Sequence, residues 1–213
     1  MSDDPSKMRP AMNNSALVPE VLPGQARSWR SAMPWLLMVA VMAVAILLER
    51  YEGRIWWCAC GKWNAWDGDI WSAHNSQHWL DPYSFTHVLH GVLLCGALAW
   101  LAPRWPLAWR LATAVVLEAV WEVLENSSFI IQRYREATIG QGYTGDSIAN
   151  SMADIVCCAA GFLLARHLGL KGSIVLFIVV EVGLALTVRD NLTLNVLMLI
   201  HPIDAVKAWQ MVH

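Results

Sequence analysis

The sequence predicts an all-α integral membrane protein: a bundle of about six transmembrane helices with an interfacial Trp-rich loop, five helices plus a re-entrant one being the alternative. Three observations carry this. Of the 213 residues, 56% are hydrophobic and only 15% charged, a balance outside that of soluble domains. Several apolar runs approach the roughly 20 residues that a helix needs to cross a hydrocarbon core of about 30 Å. Acidic and His residues recur at helical spacing inside those runs instead of between them. The formal net charge of -2, without a basic stripe or an RNA-type aromatic pattern, argues against nucleic acid and leaves the lipid bilayer as partner.

Residues 1–33 are polar and rich in Pro, Ser and Asn, and they lack an apolar block followed by a small-residue cleavage site. They read as a disordered cytoplasmic tail, and the first apolar run as an uncleaved signal anchor. That run, 34–49, starts beside Trp35 and ends at Glu49 and Arg50, residue types that sit at membrane interfaces. Further spans are expected at 84–102, 106–130, 148–168 and 173–188. A weaker one, 192–208, contains "HPIDAVK", where Pro202 should break or kink the helix. Residues 34–213 form a single helical domain without visible repeats. An N terminus inside puts nine Lys and Arg residues on the inner side against six outside, which favours a cytoplasmic N terminus.

Antiparallel succession brings the start of the second and fourth spans to the same face as the end of the third and fifth. His87 and His90 open the second span. Glu118, Glu122 and Glu125 run through the third, and Asp146, Asn150 and Asp154 enter the fourth. The ionisable residues therefore collect in one leaflet, the outer one by the charge bias. The sets fall at i, i+3, at i, i+4, i+7 and at i, i+4, i+8 respectively, and each makes one stripe on one helix face. Because a charge facing lipid costs at least about 2.5 kcal/mol, the stripes should face one another and line a polar cavity.

Carboxylates, an amide and imidazoles from adjacent helices suit a divalent metal ion, for which His87, His90, Glu122 and Asp154 are the candidate ligands. Glu118, Glu122, Glu125, Asp146, Asn150 and Asp154 are the candidate catalytic residues, as acid and base or as metal-assisting groups. A structural alternative has the carboxylates held as polar pairs by Arg133, Arg135 or Arg189 and by Trp or Tyr donors. Glu181 and His201, deeper in the chain's later spans, suit either a proton path or hydrogen bonds to a neighbouring helix. His167 reads as interfacial. Gly91, Gly96, Gly161 and Gly183 read as points of close helix approach.

The loop 51–83 carries six of the 13 Trp residues, which favours a position at the headgroup layer, as an anchor or as a lid over the cavity. It also holds Cys58 and Cys60, too close for an unstrained mutual disulfide. With His74 and His78 nearby, a site for Cu(I) or Zn²⁺ can be drawn. Cys95, Cys157 and Cys158 read as inert core residues. Nucleophile-elbow, phosphate-loop, HExxH and dinucleotide motifs do not occur.

The blocks "CACGKWNAWDGDIWSAHNSQHWLDPYSFTHVLHG", "EAVWEVLENSSFIIQRYREATIGQGYTGDSIANSMADIVCCAAGF" and "RDNLTLNVLMLIHPIDAVKAWQ" resemble the uncharacterised protein family UPF0314 (DUF2585). The resemblance spans about residues 50–210 and implies a bacterial multi-pass inner-membrane protein, without supplying catalytic residues. Two functions stand open: a membrane-embedded hydrolase or transferase acting on a lipid or lipid-linked substrate, and an ion- or proton-linked transporter. A structural or assembly role is a third.

Overall fold

The computed structural model describes the backbone of residues 23–140 and 142–211, with side chains from Ser31 onward. Seven helices follow one another: α1 (Pro23–Tyr51), α2 (Ser84–Leu101), α3 (Leu107–Glu125), α4 (Ser128–Ala137), α5 (Ile148–Thr187), α6 (Leu192–Ile200) and α7 (Asp204–Gln210). No strand occurs among the described residues, only an isolated bridge between Trp66 and Leu80. The helices from Pro34 onward belong to one compact unit. Of the expected disordered tail, residues 1–22 lie outside the described residues, and 23–33 are helical. Pro23 suits a first helical turn, where its missing N–H costs nothing.

The six expected spans map onto these seven helices with three differences. First, the helix expected over 106–130 stops at Glu125. Asn126 closes α3, and Ser127 accepts a hydrogen bond from the Ile130 amide to start α4. Second, the fourth and fifth spans are continuous in α5, interrupted at Gly169 by φ 67° and ψ -178°. Third, the last span is split at Pro202 into α6 and α7, because proline cannot donate the next helical bond. Three helical segments are long and apolar enough to cross a membrane: Ser31–Tyr51, Ser84–Leu101 and Ile148–Thr187. α3 has comparable length, yet carries Arg110, Glu118, Glu122 and Glu125.

α5 doubles back at Gly169. A straight 40-residue helix would be about 60 Å long. Yet Ser147, just before it, donates to the Gln77 carbonyl, and Asp190, just after it, accepts from the Tyr83 hydroxyl. Six residues of chain separate Gln77 from Tyr83, a reach of about 20 Å at most. The positive φ at Gly169, costly for any side chain with a Cβ, permits the reversal, and Ser173 Oγ donates across it to the Ala165 carbonyl at 3.3 Å.

α2 lies parallel to the first limb of α5, so that Trp79 meets Asn150, His87 meets Asp154 and Gly91 meets Cys158. A Cβ built at Gly91 would land on the Cys158 carbonyl, and one at Gly161 on the Val88 carbonyl. Backbone contact of this kind is what small residues between helices allow. Gly96 and Gly183 have nothing within 4 Å of such a Cβ, so they are not crossing points. The apolar core gathers around Val92, Leu98, Leu111, Val115, Ile155 and Phe162, and α1 presents to it the stripe Met38, Val41, Met42 and Ala45.

Candidate functional site

The site begins with the start of α2. Asp81 accepts hydrogen bonds from the amides of Tyr83 (2.7 Å) and Ser84 (3.3 Å) through one oxygen and of Ser76 (2.9 Å) through the other. It thereby ties the end of the Trp-rich loop to the first helical turn, whose orphan N–H groups it satisfies. One turn later, His87 points into the bundle. Its Nδ1 is 2.6 Å from Glu118 Oε1 and 3.1 Å from Glu122 Oε1, and its Nε2 is 3.9 Å from Asp154 Oδ2. The short contact with Glu118 assigns the imidazole proton to Nδ1 and leaves the Nε2 lone pair on the Asp154 side. His90 Nδ1 lies 2.9 and 3.1 Å from the two oxygens of Glu118, so that carboxylate is held by both imidazoles.

A second network surrounds Asn126. Its Oδ1 accepts from the Asp146 amide at 2.7 Å, while its Nδ2 faces the Glu122 carbonyl (3.1 Å), Ser151 Oγ (3.1 Å) and Asp146 Oδ2 (3.3 Å). Tyr143 donates to Asp146 Oδ1 at 2.9 Å. Burial pushes the Asp146 carboxyl up to about 7, against the lowering effect of the Tyr143 hydroxyl. Burial likewise raises Asp81 and, together with the Asp146 charge, holds Tyr143 well above the ordinary phenol range.

Among the described residues, every ion pair within 4.0 Å joins a histidine to a carboxylate. The arginines expected as structural partners bond elsewhere: Arg133 to the Leu199 carbonyl, Arg135 to that of Tyr143 and Arg189 to that of Trp209. Both oxygens of Glu122, which is 0% exposed, have no hydrogen-bond partner, and neither does Asp154 Oδ1. Buried unpaired carboxylate oxygens are expensive unless protonated or bound to a cation. Donor atoms of His87, Glu122 and Asp154 lie within 4.8 Å of one another, as do those of His87, His90 and Glu118. Such sets suit Zn²⁺, Mn²⁺ or Fe²⁺.

A cavity of about 320 Å³ opens beside this cluster, between Trp71 of the loop, α2, α4 and the start of α5. His87, His90, Glu125, Asp146, Asn150 and Asp154 are on its wall; Glu118 and Glu122 are not. The structure thus gathers the candidate catalytic and metal-ligating residues in two layers. Glu181 and His201 do not join them. Glu181 accepts from the amides of Leu192 (2.9 Å) and Thr193 (3.1 Å), capping α6 where the helix dipole favours an anion. His201 and His167 are exposed.

Several site residues escape a reading of the sequence. Glu49, expected at an interface, is 0% exposed, with both oxygens unpaired, beside Asp146 and Ser151. The missed signal is its place four residues after Ala45 on the core-facing stripe of α1. Asp81, Tyr83 and Asp190 also reach the cavity wall. Asp190, which the alternating direction of the spans already places at this end, accepts from Tyr83 Oη and Gln210 Nε2, partners that no local pattern announces.

Over residues 33–212 the chain matches a family described as "Protein of unknown function (DUF2585)". The chain belongs to the DUF2585 family. It is 46% identical to a UPF0314 protein of Rhizobium meliloti (strain 1021) over 182 residues, 85% of this chain and 92% of the relative. A UPF0314 protein of Brucella anthropi is 45% identical over 184 residues, 84% of this chain and 93% of the relative. One of Sphingopyxis alaskensis is 44% identical over 176 residues, 83% and 94% respectively. No solved structure matches this DUF2585 chain. The family match spans both layers of the site and the loop above them.

Proposed function

We propose that this DUF2585 protein is a multi-pass bacterial inner-membrane enzyme that uses a divalent cation to hydrolyse, or transfer a group on, a lipid-type substrate. The observation that carries the reading is Glu122: a fully buried carboxylate with no hydrogen bond at either oxygen, whose one ionic contact is His87 Nδ1 at 3.1 Å, a nitrogen that Glu118 holds more closely, with no Lys or Arg ion pair among the described residues. His87 Nε2, Glu122 and Asp154 hold the cation. Glu118, bonded to Nδ1, fixes the His87 tautomer and orientation, as carboxylates beside ligating imidazoles do. The cation supplies Lewis acidity and a nucleophilic water at neutral pH. Asp146, on the cavity wall and poised near 7, is placed to exchange a proton with the substrate.

The membrane frame rests on the exteriors of the helices. Leu36, Val39 and Leu47 of α1, Leu93 and Trp100 of α2, and Val175, Val179 and Leu186 of α5 are all exposed. An apolar exterior of that extent belongs against lipid. With α5 folded at Gly169 into limbs of about 31 and 27 Å, the frame is about six spans: α1, α2, α3, two limbs of α5, and the broken α6 and α7. The N terminus is cytoplasmic and the cavity lies in the outer leaflet, under the Trp-rich loop. Glu181 caps α6 and His201 is exposed, so neither of these two extends the cluster toward the other leaflet, which weighs against an ion- or proton-linked transporter.

The test is metal content by elemental mass spectrometry, with headgroup release from phospholipid in mixed micelles as the activity readout. Wild type should carry a divalent cation that Glu122→Gln and Asp154→Asn both lose, together with activity. Equal metal content in folded wild type and both variants would overturn the assignment.

A further inference from the structure

The loop between α1 and α2 is some 30 residues of irregular backbone, far longer than a connection needs to be. Besides the bridge between Trp66 and Leu80, one cluster of side chains draws its two arms together. Cys58 Sγ lies 3.1 Å from His74 Nδ1 and Cys60 Sγ 3.7 Å from His78 Nε2, and all four donor atoms fall within 4.8 Å of one another. A tetrahedral zinc ion with Zn–S of about 2.3 Å and Zn–N of about 2.0 Å sets its sulfur and nitrogen ligands about 3.5 Å apart. A thiol–imidazole hydrogen bond accounts for one such pair; it gives no reason for two pairs to converge on a single point.

The backbone is shaped to present these side chains. Gly61, at φ 71°, closes a turn in which its amide donates to the Cys58 carbonyl at 3.1 Å, bringing the two sulfurs to one side. The Lys62 amide then points at Cys60 Sγ at 3.4 Å, as N–H donors do toward a charged sulfur. On the other arm, Ser76 takes φ 60°, a strained value for a residue with a side chain, and so turns the chain between His74 and His78. Asp81 holds that turn through the Ser76 amide at 2.9 Å, and the Cys58 amide joins the two arms through the Gln77 carbonyl at 3.1 Å. Trp57 packs its ring edge against His78.

We propose that Cys58, Cys60, His74 and His78 form a closed Cys₂His₂ zinc site, separate from the His87 centre, which pins the Trp-rich loop as a roof over the cavity. Four protein ligands leave no open position, so the ion is structural. Its position explains how the roof is held. Ser76 and Gln77, between the two histidines, take hydrogen bonds from the Ser147 amide (2.9 Å) and hydroxyl (3.0 Å) at the start of α5. Trp71, Asn75 and Ser76 line the cavity. In the arm after α1, Ile55 and Trp56 take hydrogen bonds from the Ile148 (2.9 Å) and Ala149 (3.2 Å) amides, so both arms rest on the start of α5 and the zinc clip ties them to each other there.

Cobalt substitution tests this on the full chain in detergent under reducing conditions. Co²⁺ bound here shows sulfur-to-metal charge-transfer absorption, which the His87 centre, with no sulfur ligand, cannot produce. Wild type should show the band and lose it when Zn²⁺ is added. Cys60→Ser should lose about half of it, one of two thiolates being gone, and His74→Ala should weaken cobalt binding. Both positions are exposed, so the fold should tolerate the changes. Glu122→Gln should leave the band intact whatever becomes of the other centre. Absence of the band in wild type, or a band unchanged in Cys60→Ser, would overturn the proposal.

Discussion

Alanine at Gly91 should unfold the site, and the same change at Gly96, five residues along the same helix, should not. At Gly91 the added Cβ would overlap the Cys158 carbonyl oxygen and sit 2.6 Å from the Phe162 amide nitrogen and 2.9 Å from the Cys158 carbonyl carbon. These are backbone atoms of α5 and cannot rotate away, so the two helices must separate by about 1 Å against dense packing. Overpacking of this kind costs about 3 kcal/mol. Alanine's better helix propensity returns about 1 kcal/mol, for a net loss of about 2 kcal/mol. Gly96→Ala meets nothing within 4 Å and should gain up to about 1 kcal/mol. The pair then differs by about 3 kcal/mol, a separation in thermal midpoint of about 6–12 °C for a chain of this size. Because Gly91 follows His87 by one turn, the variant should also widen the His87–Asp154 gap and weaken metal retention. The assay is thermal unfolding of each purified variant in detergent, followed by fluorescence of the 13 Trp residues. Equal midpoints for the two variants would refute the parallel α2–α5 contact on which the site geometry depends.

Asn126→Ala removes the acceptor of the Asp146 amide and the donor to Ser151, leaving buried polar groups unpaired. A loss of about 3 kcal/mol is expected, read as a lowered unfolding midpoint. Asp190 has its carboxyl raised by burial from 3.8 to about 6, so between those values the folded protein binds more protons than the unfolded chain. Its contribution to stability is complete below pH 3.8 and fades as pH rises through about 6; unfolding midpoints across that window should lose this slope in Asp190→Asn.

Periodicity along the chain encodes much of the site. His87 and His90, Glu118 and Glu122, and Asp146, Asn150 and Asp154 are local patterns, and the alternating direction of antiparallel spans is enough to bring them to one end. Gly96 and Gly183 lie beyond what such patterns decide, since a glycine in a helix shows where a close approach is permitted and says nothing of whether a partner is there. Glu49 does too. A charged residue at the end of an apolar run resembles an interfacial anchor, and only its alignment with Ala45 shows that it faces the core.

What the sequence by itself determined is whatever depends on neighbours along one helix: helical class, apolar exteriors, the stripe on each face, and the break at Pro202. Tertiary structure alone decided which stripes touch and through which atoms. That α5 reverses at Gly169, that Glu181 caps α6 from 11 residues away instead of joining the cluster, and that Glu118 takes both imidazoles while Glu122 keeps only an ionic contact with His87 all depend on contacts beyond one helical segment. The same holds in the loop, where Cys58 and Cys60 meet His74 and His78 only because Gly61 and Ser76 turn the chain between them. Long-range hydrogen bonds and packing set those distances, and no periodic pattern in a single segment encodes them.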